Sequence, residues 1–387
     1  MNFRSIYLLF LALLKIKFNL KKIQKTPVVI YDENTFSEIR DILEIKKYYI
    51  LETRFKSINL RVLITSLIFY KLKWRPKHYL YTYLSELSPS HIITSQDNDI
   101  KFWNIKNYLK NVKTIFIQNG WRDNFSDSFS QLELKDNNLF NVDKMFVFNE
   151  MYAKEYKKYI SGDTHVIGSF LNNHFRISRN LNEEIIFISS FTHHPHTSVK
   201  YRMTIDYQLP TKIILPLLLR ISREKKIKLK VLGRSWGRMS GSSAVEAEKN
   251  FFREFDNEII FIPRGKERHE TYKSIDDSKL VVTMDSTLGY ESFAREKRVA
   301  FLTIRSQNFE NKSFNFAWPY KSDDKGPFWT NSYDENYIRK IIDYLLNISE
   351  QEWKNEKKKY LDIIMPYDED NKIFKKYISE EGLLADK

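Results

Sequence analysis

Short apolar runs alternate with longer segments of mixed polarity along almost the whole chain. Pro27–Asp32, Tyr48–Leu51, His91–Thr94, Thr114–Ile117, Lys144–Phe148 and His165–Ile167 are brief and rich in β-branched and aromatic residues. Each reads as a buried strand. Helical stretches separate them, around Ser37–Ile45, Ile58–Tyr70, Phe102–Leu109 and Glu150–Ile160. A polar stretch without periodicity, Asn172–Asn182, interrupts the series, which then restarts. Strands are expected at Ile185–Ile188, Lys228–Leu232, Ile259–Ile262, Leu280–Met284 and, last, Arg298–Leu302. Helices are expected at Ile213–Lys225 (Pro216 a point for a kink), Thr271–Asp276, Leu288–Arg295, Tyr337–Leu346 and Glu350–Tyr360. Strands alternating with helices imply parallel sheets. Two such series predict two α/β halves facing a cleft, the usual place for a ligand. The expected division is an N-terminal segment 1–26, a first domain 27–178, a second domain 179–350 and closing helices 351–387 that can cross back to the first domain. No repeat at solenoid periods is present.

A chain of 387 residues with 42% hydrophobic content suits two cores better than one. The absence of cysteine excludes disulfides and thiolate zinc sites and fits a reducing cytoplasm. The net charge of +14 suits a polyanionic partner: nucleic acid, an anionic membrane or a phosphorylated substrate. Part of the excess is local, since residues 1–26 carry six cations and no acid. Their apolar run Ile6–Leu14 is too short to span a bilayer. Lysines follow it rather than a small-residue cleavage site. Ser5–Leu20 therefore reads as an interfacial helix with a basic flank, suited to an anionic inner leaflet. A first helix packed on the core would give the same pattern.

The most informative stretch is Asp285-Ser286-Thr287-Leu288-Gly289-Tyr290-Glu291-Ser292, where a buried strand turns into a helix behind a Ser/Thr cap. Such a helix start offers N–H groups and a positive dipole end to phosphate. Gly289 would allow close approach of a ligand or another backbone, and Glu291 could accept from ribose hydroxyls. An ordinary capped helix with a surface Glu is the competing reading. Other polar groups follow strand ends, where parallel sheets bind ligands. Asp97-Asn98-Asp99 fits the D-x-D metal pattern, but Asp/Asn clusters are also common turns; Asp97 is the candidate base or substrate anchor. Gln118-Asn119-Gly120 with Arg122 can read sugar hydroxyls and clamp an anion, or form a simple Asn-Gly turn. Ser189, Gly233-Arg234, Arg264 and Lys266 follow strands of the second half, where cations would neutralise a departing phosphate. His193-His194-Pro195-His196 has no carboxylate nearby and reads as a loop rather than a zinc site. Gly326–Asn331 is a rigid aromatic loop, either a sugar-stacking wall or a cover for the core. Gly-x-Ser-x-Gly, Walker A and Gly-x-Gly-x-x-Gly patterns are absent. So are nucleic-acid-binding motifs, and the basic charge is scattered.

Several of these segments together resemble the bacterial surface carbohydrate (O-antigen and capsule) biosynthesis proteins, a glycosyltransferase group. The matching pieces are Arg54 with Ser57–Leu60, Ile93–Asn98, Phe116–Gly120 with Arg122, Gly168–Phe170 with Asn172-Asn173, Gly233-Arg234, Asp285–Ser292 and Gly326–Asn331. More distantly the pattern is similar to bacterial β-Kdo transferases. The resemblance implies a GT-B-like α/β fold of two Rossmann-like domains with parallel sheets facing an interdomain cleft. It implies a glycosyltransferase that moves a sugar from a nucleotide-sugar donor, CMP-Kdo being the specific expectation, to a glycan or lipid-linked acceptor. Catalytic roles would fall to Asp97, Arg234 and Arg264. The donor would meet Ser189, Gly233, Ser286, Thr287, Gly289 and Glu291, and the acceptor Asn98, Gln118, Asn119 and Arg122. No metal or other cofactor is expected, because GT-B enzymes generally work without one, and nucleic acid is not an expected partner. A cytoplasmic protein peripheral at the inner membrane is expected, in lipopolysaccharide, O-antigen or capsule synthesis. The alternatives are another GT-B enzyme (a sugar-nucleotide epimerase or polyol-phosphate transferase), a non-catalytic scaffold, or a basic nucleic-acid binder.

Overall fold

The computed structural model describes residues 17–122, 140–178, 182–192, 196–198, 203–235, 237–264 and 268–384, without residues 41, 46 and 55. Residues 1–16, Lys266 and His193-His194-Pro195 therefore lie outside the described residues. In chain order the strands are β1 Lys17–Asn19, β2 Val28–Tyr31, β3 Tyr48–Leu51, β4 Ser57–Asn59, β5 His91–Thr94, β6 Lys113–Ile117, β7 Phe140–Val147 and β8 Ile160–Val166. They continue with β9 Asn182–Ile188, β10 His196–Ser198, β11 Met203–Ile205, β12 Lys228–Leu232, β13 Ile260–Ile262 and β14 Ser278–Thr283. The last are β15 Val299–Leu302, β16 Lys325–Gly326 and β17 Trp329–Thr330.

Two sheets carry the fold. The first has the order β3-β2-β5-β6-β7-β8, all parallel. The second has the order β13-β12-β9-β14-β15-β17-β16, parallel except for the terminal β16–β17 pair. Central strands such as β2 and β5 are buried along their whole length. Helices covering both faces of a parallel sheet explain why these strands are runs rather than alternations. This is the doubly wound, two-sheet α/β layout that the resemblance implies.

The segment after the second sheet returns to the first. In the helix Lys372–Glu380, Phe374 and Ile378 join Ile30, Ile93, Phe146 and Phe170 in one apolar cluster. The earlier linker that leads from the first half into the second is fastened by Arg295, whose side chain is fully buried. Arg295 donates to both Asp276 oxygens (2.8 and 2.5 Å) and to the carbonyls of Phe175 (2.7 Å) and Arg176 (2.9 Å).

Several expectations need correction. Lys17–Asn19 is not helical: it pairs in parallel with Ser57–Asn59, and this tertiary pairing overrides the local amphipathic pattern. Arg298–Leu302 does not supply the last strand, because β16 and β17 follow. The helix after β7 ends at Tyr156, and β8 already begins at Ile160. Two long helices, Pro76–Leu87 and Gly237–Arg253, have no counterpart in the sequence reading. The first starts on a proline, a residue favoured at that position because it has no N–H to leave unpaired.

Candidate functional site

Each sheet has one place where the winding reverses. In the first it lies between β2 and β5, in the second between β9 and β14. Crevices at the carboxyl ends of strands flanking such a reversal are where open α/β sheets bind ligands. The chain leaves β2 into Asp32 and the helix Glu33–Ile39, and leaves β5 into Ser95 and Asp97. It leaves β9 into Ser189-Ser190, and β14 into Asp285-Ser286 and the helix Thr287–Ala294.

In the first half, Asp97 is buried and held by Arg122 through two bonds of 2.7 Å, one to each carboxylate oxygen. This paired geometry is the strong form of a charge-assisted bond. The Asp97 charge, opposed by burial, holds the Arg122 guanidinium above its ordinary value. Glu38, half-buried on the helix Glu33–Ile39, faces the same spot. Burial pushes its carboxyl up to about 7, Asp97 adds to the rise, and Ser95, Arg268 and Asn119 oppose it. Asn119 donates to Glu38 at 3.4 Å. Asp32 closes this end of β2 at φ +80°, a region costly for a residue with a side chain. Its carboxylate accepts from Thr53 (2.5 Å) and from the N–H of Asn34.

In the second half, Glu248 organises the loops. It is fully buried and accepts from the Ser189 hydroxyl (2.5 Å) and from the N–H groups of Arg234 and Ser235 (2.8 Å each). Arg305 donates to both oxygens of Asp285 (2.8 Å each) and to the Ser190 carbonyl (3.4 Å), bridging the reversal point. Burial lowers the pKa of Arg234 and of Arg264; Arg305 lowers that of Arg234 further, while Tyr272 and Glu291 oppose the shift at Arg264. Ser286 caps the helix Thr287–Ala294, accepting from Leu288 at 3.3 Å.

The halves meet at this helix. The Trp121 ring stacks on Tyr290 at 3.6 Å, and the Trp121 backbone N–H donates to the Thr287 hydroxyl at 2.8 Å. Ser169 of the first half donates to Glu291 at 2.5 Å, and Tyr272 donates to the other oxygen at 3.1 Å. Burial raises the Glu291 carboxyl, and these two donors with Arg264 and Arg295 hold it back. Glu291 is thus a carboxylate sealed inside the seam, not one turned toward ribose.

The remaining expectations divide. Asn98 is exposed beside Asp97. Asp99 accepts from Tyr31 (2.8 Å) and caps the helix Ile100–Trp103, so the two carboxylates of D-x-D serve different partners. Gln118 is buried and spends its amide on the N–H of Phe148 and the carbonyl of Gly120, so it holds the loop rather than a sugar. A Cβ at Gly289 would lie 2.4 Å from the Thr283 side chain, and one at Gly233 would lie 2.6 Å from Phe261. The close approach is therefore intramolecular at both glycines. Phe328 and Trp329 are buried, with Trp329 lying across Gly326, so the aromatic segment covers the core. His196 sits in the β10–β11 hairpin. No motif in the sequence marks Glu38, Glu248 or Arg305. Glu38 looks like any polar helix position, and the partners of Glu248 and Arg305 lie on other elements, beyond the reach of local periodicity.

Among solved structures the chain is similar to a variant of the wall teichoic acid polymerase TagF, at 11% identity and TM-score 0.49, covering 94% of this chain and 91% of that one. It is also similar to the UDP-GlcNAc 2-epimerase of Methanocaldococcus jannaschii, at 11% identity and TM-score 0.48, covering 93% and 100%. A third is a mutant of TarM from S. aureus, at 14% identity and TM-score 0.45, covering 79% and 58%. No curated protein sequence matches. A family described as "putative O-antigen biosynthesis protein" matches residues 115–382. That span is well over half of the chain and takes in the seam and the whole second sheet. The chain belongs to this O-antigen biosynthesis family.

Proposed function

We propose that the protein is a glycosyltransferase of surface-polysaccharide synthesis. The observation that carries this reading is one loop, after β6, that clamps Asp97 at the first reversal point through Arg122 and donates to Thr287 at the second through Trp121, in a chain of an O-antigen biosynthesis family. One half presents a carboxyl poised near neutrality, the other a helix start and arginines suited to phosphate.

In this reading Glu38 is the base. Asp97, both of whose oxygens are occupied by Arg122, positions the loop and raises the Glu38 carboxyl. The acceptor hydroxyl gives its proton to Glu38, and its oxygen bonds to the anomeric carbon of the donor sugar. The bond from that carbon to the nucleotide phosphate breaks, and its electron pair leaves with the phosphate. Arg234, Arg264 and the start of the helix Thr287–Ala294 stabilise the charge that develops there. Glu248 holds Ser189 and Arg234 in place for that task. Donor entry requires the Trp121–Thr287 contact to give way, and re-closure would exclude water.

The arginines of the second half also suit an acidic sugar, which keeps a CMP-linked Kdo-type donor as the specific proposal. A glycan or lipid-linked acceptor at the inner face of the membrane completes it, approached through the lysines of the N-terminal segment.

The test is transfer of radiolabelled sugar from a panel of nucleotide-sugars to lipid-linked oligosaccharide extracted from cells lacking the protein. Label should appear in the lipid fraction with the natural chain and fall at least a hundredfold with Glu38→Gln. Transfer undiminished in that variant would remove Glu38 from the reaction. Absence of transfer from every donor, with polymer still made in cells carrying Glu38→Gln, would favour a scaffold.

A further inference from the structure

The helix Leu60–Tyr70 is built inside out. Its buried positions are Val62 and Ser66, and Ser66 accepts a hydrogen bond from the Trp74 indole at 2.9 Å. Its large apolar residues face outward instead. Ile64 and Leu67 are exposed, Ile68 is 68% exposed, Phe69 77% and Leu72, just past the end, 100%. A helix on a soluble domain normally turns that face inward, and clustered exposed apolar residues mark an interaction site.

The chain that builds this face is strongly basic, although Glu52 lies at its β4 end, accepting from the N–H groups of Lys56 and Ser57. From Ser57 to Ser85 the chain contains Arg61, Lys71, Lys73, Arg75 and Lys77 and no acid. Four of these cations crowd the C-terminal end of the helix, where Lys71 turns the chain at φ +46° and exposes Leu72 between Lys71 and Lys73. The other end adjoins β1, which pairs with β4 immediately before the helix. There Asn59, the cap of the helix, donates to Asn19 (3.2 Å) and to the Lys21 carbonyl (2.7 Å). Phe18 and Leu20 are exposed on that side too, among Lys17, Lys21 and Lys22.

We propose that this face is a docking surface for an anionic lipid bilayer. Large apolar side chains with a border of Lys and Arg are what an in-plane interfacial element requires. Apolar groups enter the acyl boundary while the cations meet lipid phosphates. A protein partner with an apolar groove would gain little from this cationic border unless it were itself strongly acidic. No described helix is long and apolar enough to cross a membrane. The inference is independent of sugar transfer, since it rests on none of the residues of the seam.

The test is sedimentation of the full-length protein with vesicles of phosphatidylcholine alone or mixed with phosphatidylglycerol. The natural chain should bind the anionic vesicles and release them in high salt. Ile68→Ser with Phe69→Ser should lower the partition coefficient roughly tenfold or more, the scale set by two large side chains leaving the interface. Lys71→Glu with Lys73→Glu should lower it comparably at low salt only. Both pairs are exposed, so the thermal midpoint and donor-nucleotide binding should stay unchanged. Unaltered vesicle binding in both variants would overturn the proposal. So would a natural chain that ignores anionic vesicles, or one whose dimer, measured by light scattering, dissociates in Ile68→Ser with Phe69→Ser.

Discussion

Replacing Glu38 with Gln should make the protein more stable at alkaline pH while disabling it. The Glu38 carboxyl has an ordinary value of 4.5 and is pushed up to about 7 in the folded chain, burial being the main cause and Asp97 a further one. At about 1.4 kcal/mol per pH unit, that displacement corresponds to about 3.5 kcal/mol. Glu38 is only partly buried, so solvent screening reduces the expected figure to about 1–2 kcal/mol. Because the folded value is raised, the folded state holds the proton more tightly than the unfolded chain. The favourable contribution is complete below pH 4.5 and is lost as pH rises through 7. Gln has no proton to lose and can still accept from Asn119. Urea unfolding of both proteins at pH 5 and pH 8.5 reads this directly. The variant should gain about 1–2 kcal/mol relative to the natural chain between those two values. A difference independent of pH, or one of opposite sign, would refute the placement of a strained carboxyl at the seam. Transfer activity of the natural chain should rise with pH through a midpoint near 7, and the residual activity of the variant should lack that rise.

Three other outcomes follow from the same geometry. Arg122→Met leaves the Asp97 carboxylate buried and unpaired and should cost about 3–5 kcal/mol in urea unfolding; a loss under about 1 kcal/mol would mean the pair is not formed. Glu248→Ala strips three donors of their acceptor and should cost at least about 3 kcal/mol by the same measurement, with nucleotide affinity falling because Ser189 and Arg234 lose their anchor. Gly289→Ala drives a methyl group into Thr283 and should cost about 1–3 kcal/mol, which Thr283→Ser in the same chain should partly restore if the crowding is with the threonine methyl.

The fold was legible because burial on both faces of a parallel sheet writes itself into the chain as apolar runs. Strands β2, β5, β6, β12 and β14 fall within one or two residues of such runs, and β9 begins three residues before its own. Capping was legible too, since Ser286 does cap the helix after β14. What periodicity could not convey is partner choice. Nothing local distinguishes Gln118, consumed by its own loop, from Asn119, which reaches across to Glu38. Ser286 and Thr287 are adjacent, yet one caps its own helix and the other accepts from Trp121 of the opposite half. Glu291 reads as a surface carboxylate until Ser169, 122 residues away, closes over it. The helix Gly237–Arg253 escaped notice because glycines and serines crowd its first turns, where helical propensity is weak; Glu248 escaped with it.

The carboxyl ends of β9, β12 and β14 are the proposed nucleotide-sugar donor site. The most direct measurement is a thermal-shift panel of CMP, UDP, GDP and CDP on the full-length protein, with Arg234→Ala beside it. A site that binds only the folded state raises the melting midpoint as free ligand exceeds its dissociation constant. One nucleotide should raise the midpoint of the natural chain, CMP if the donor is a Kdo-type sugar, and the rise should vanish in Arg234→Ala. A folded protein whose midpoint none of the four nucleotides moves, up to millimolar concentration, would contradict the account.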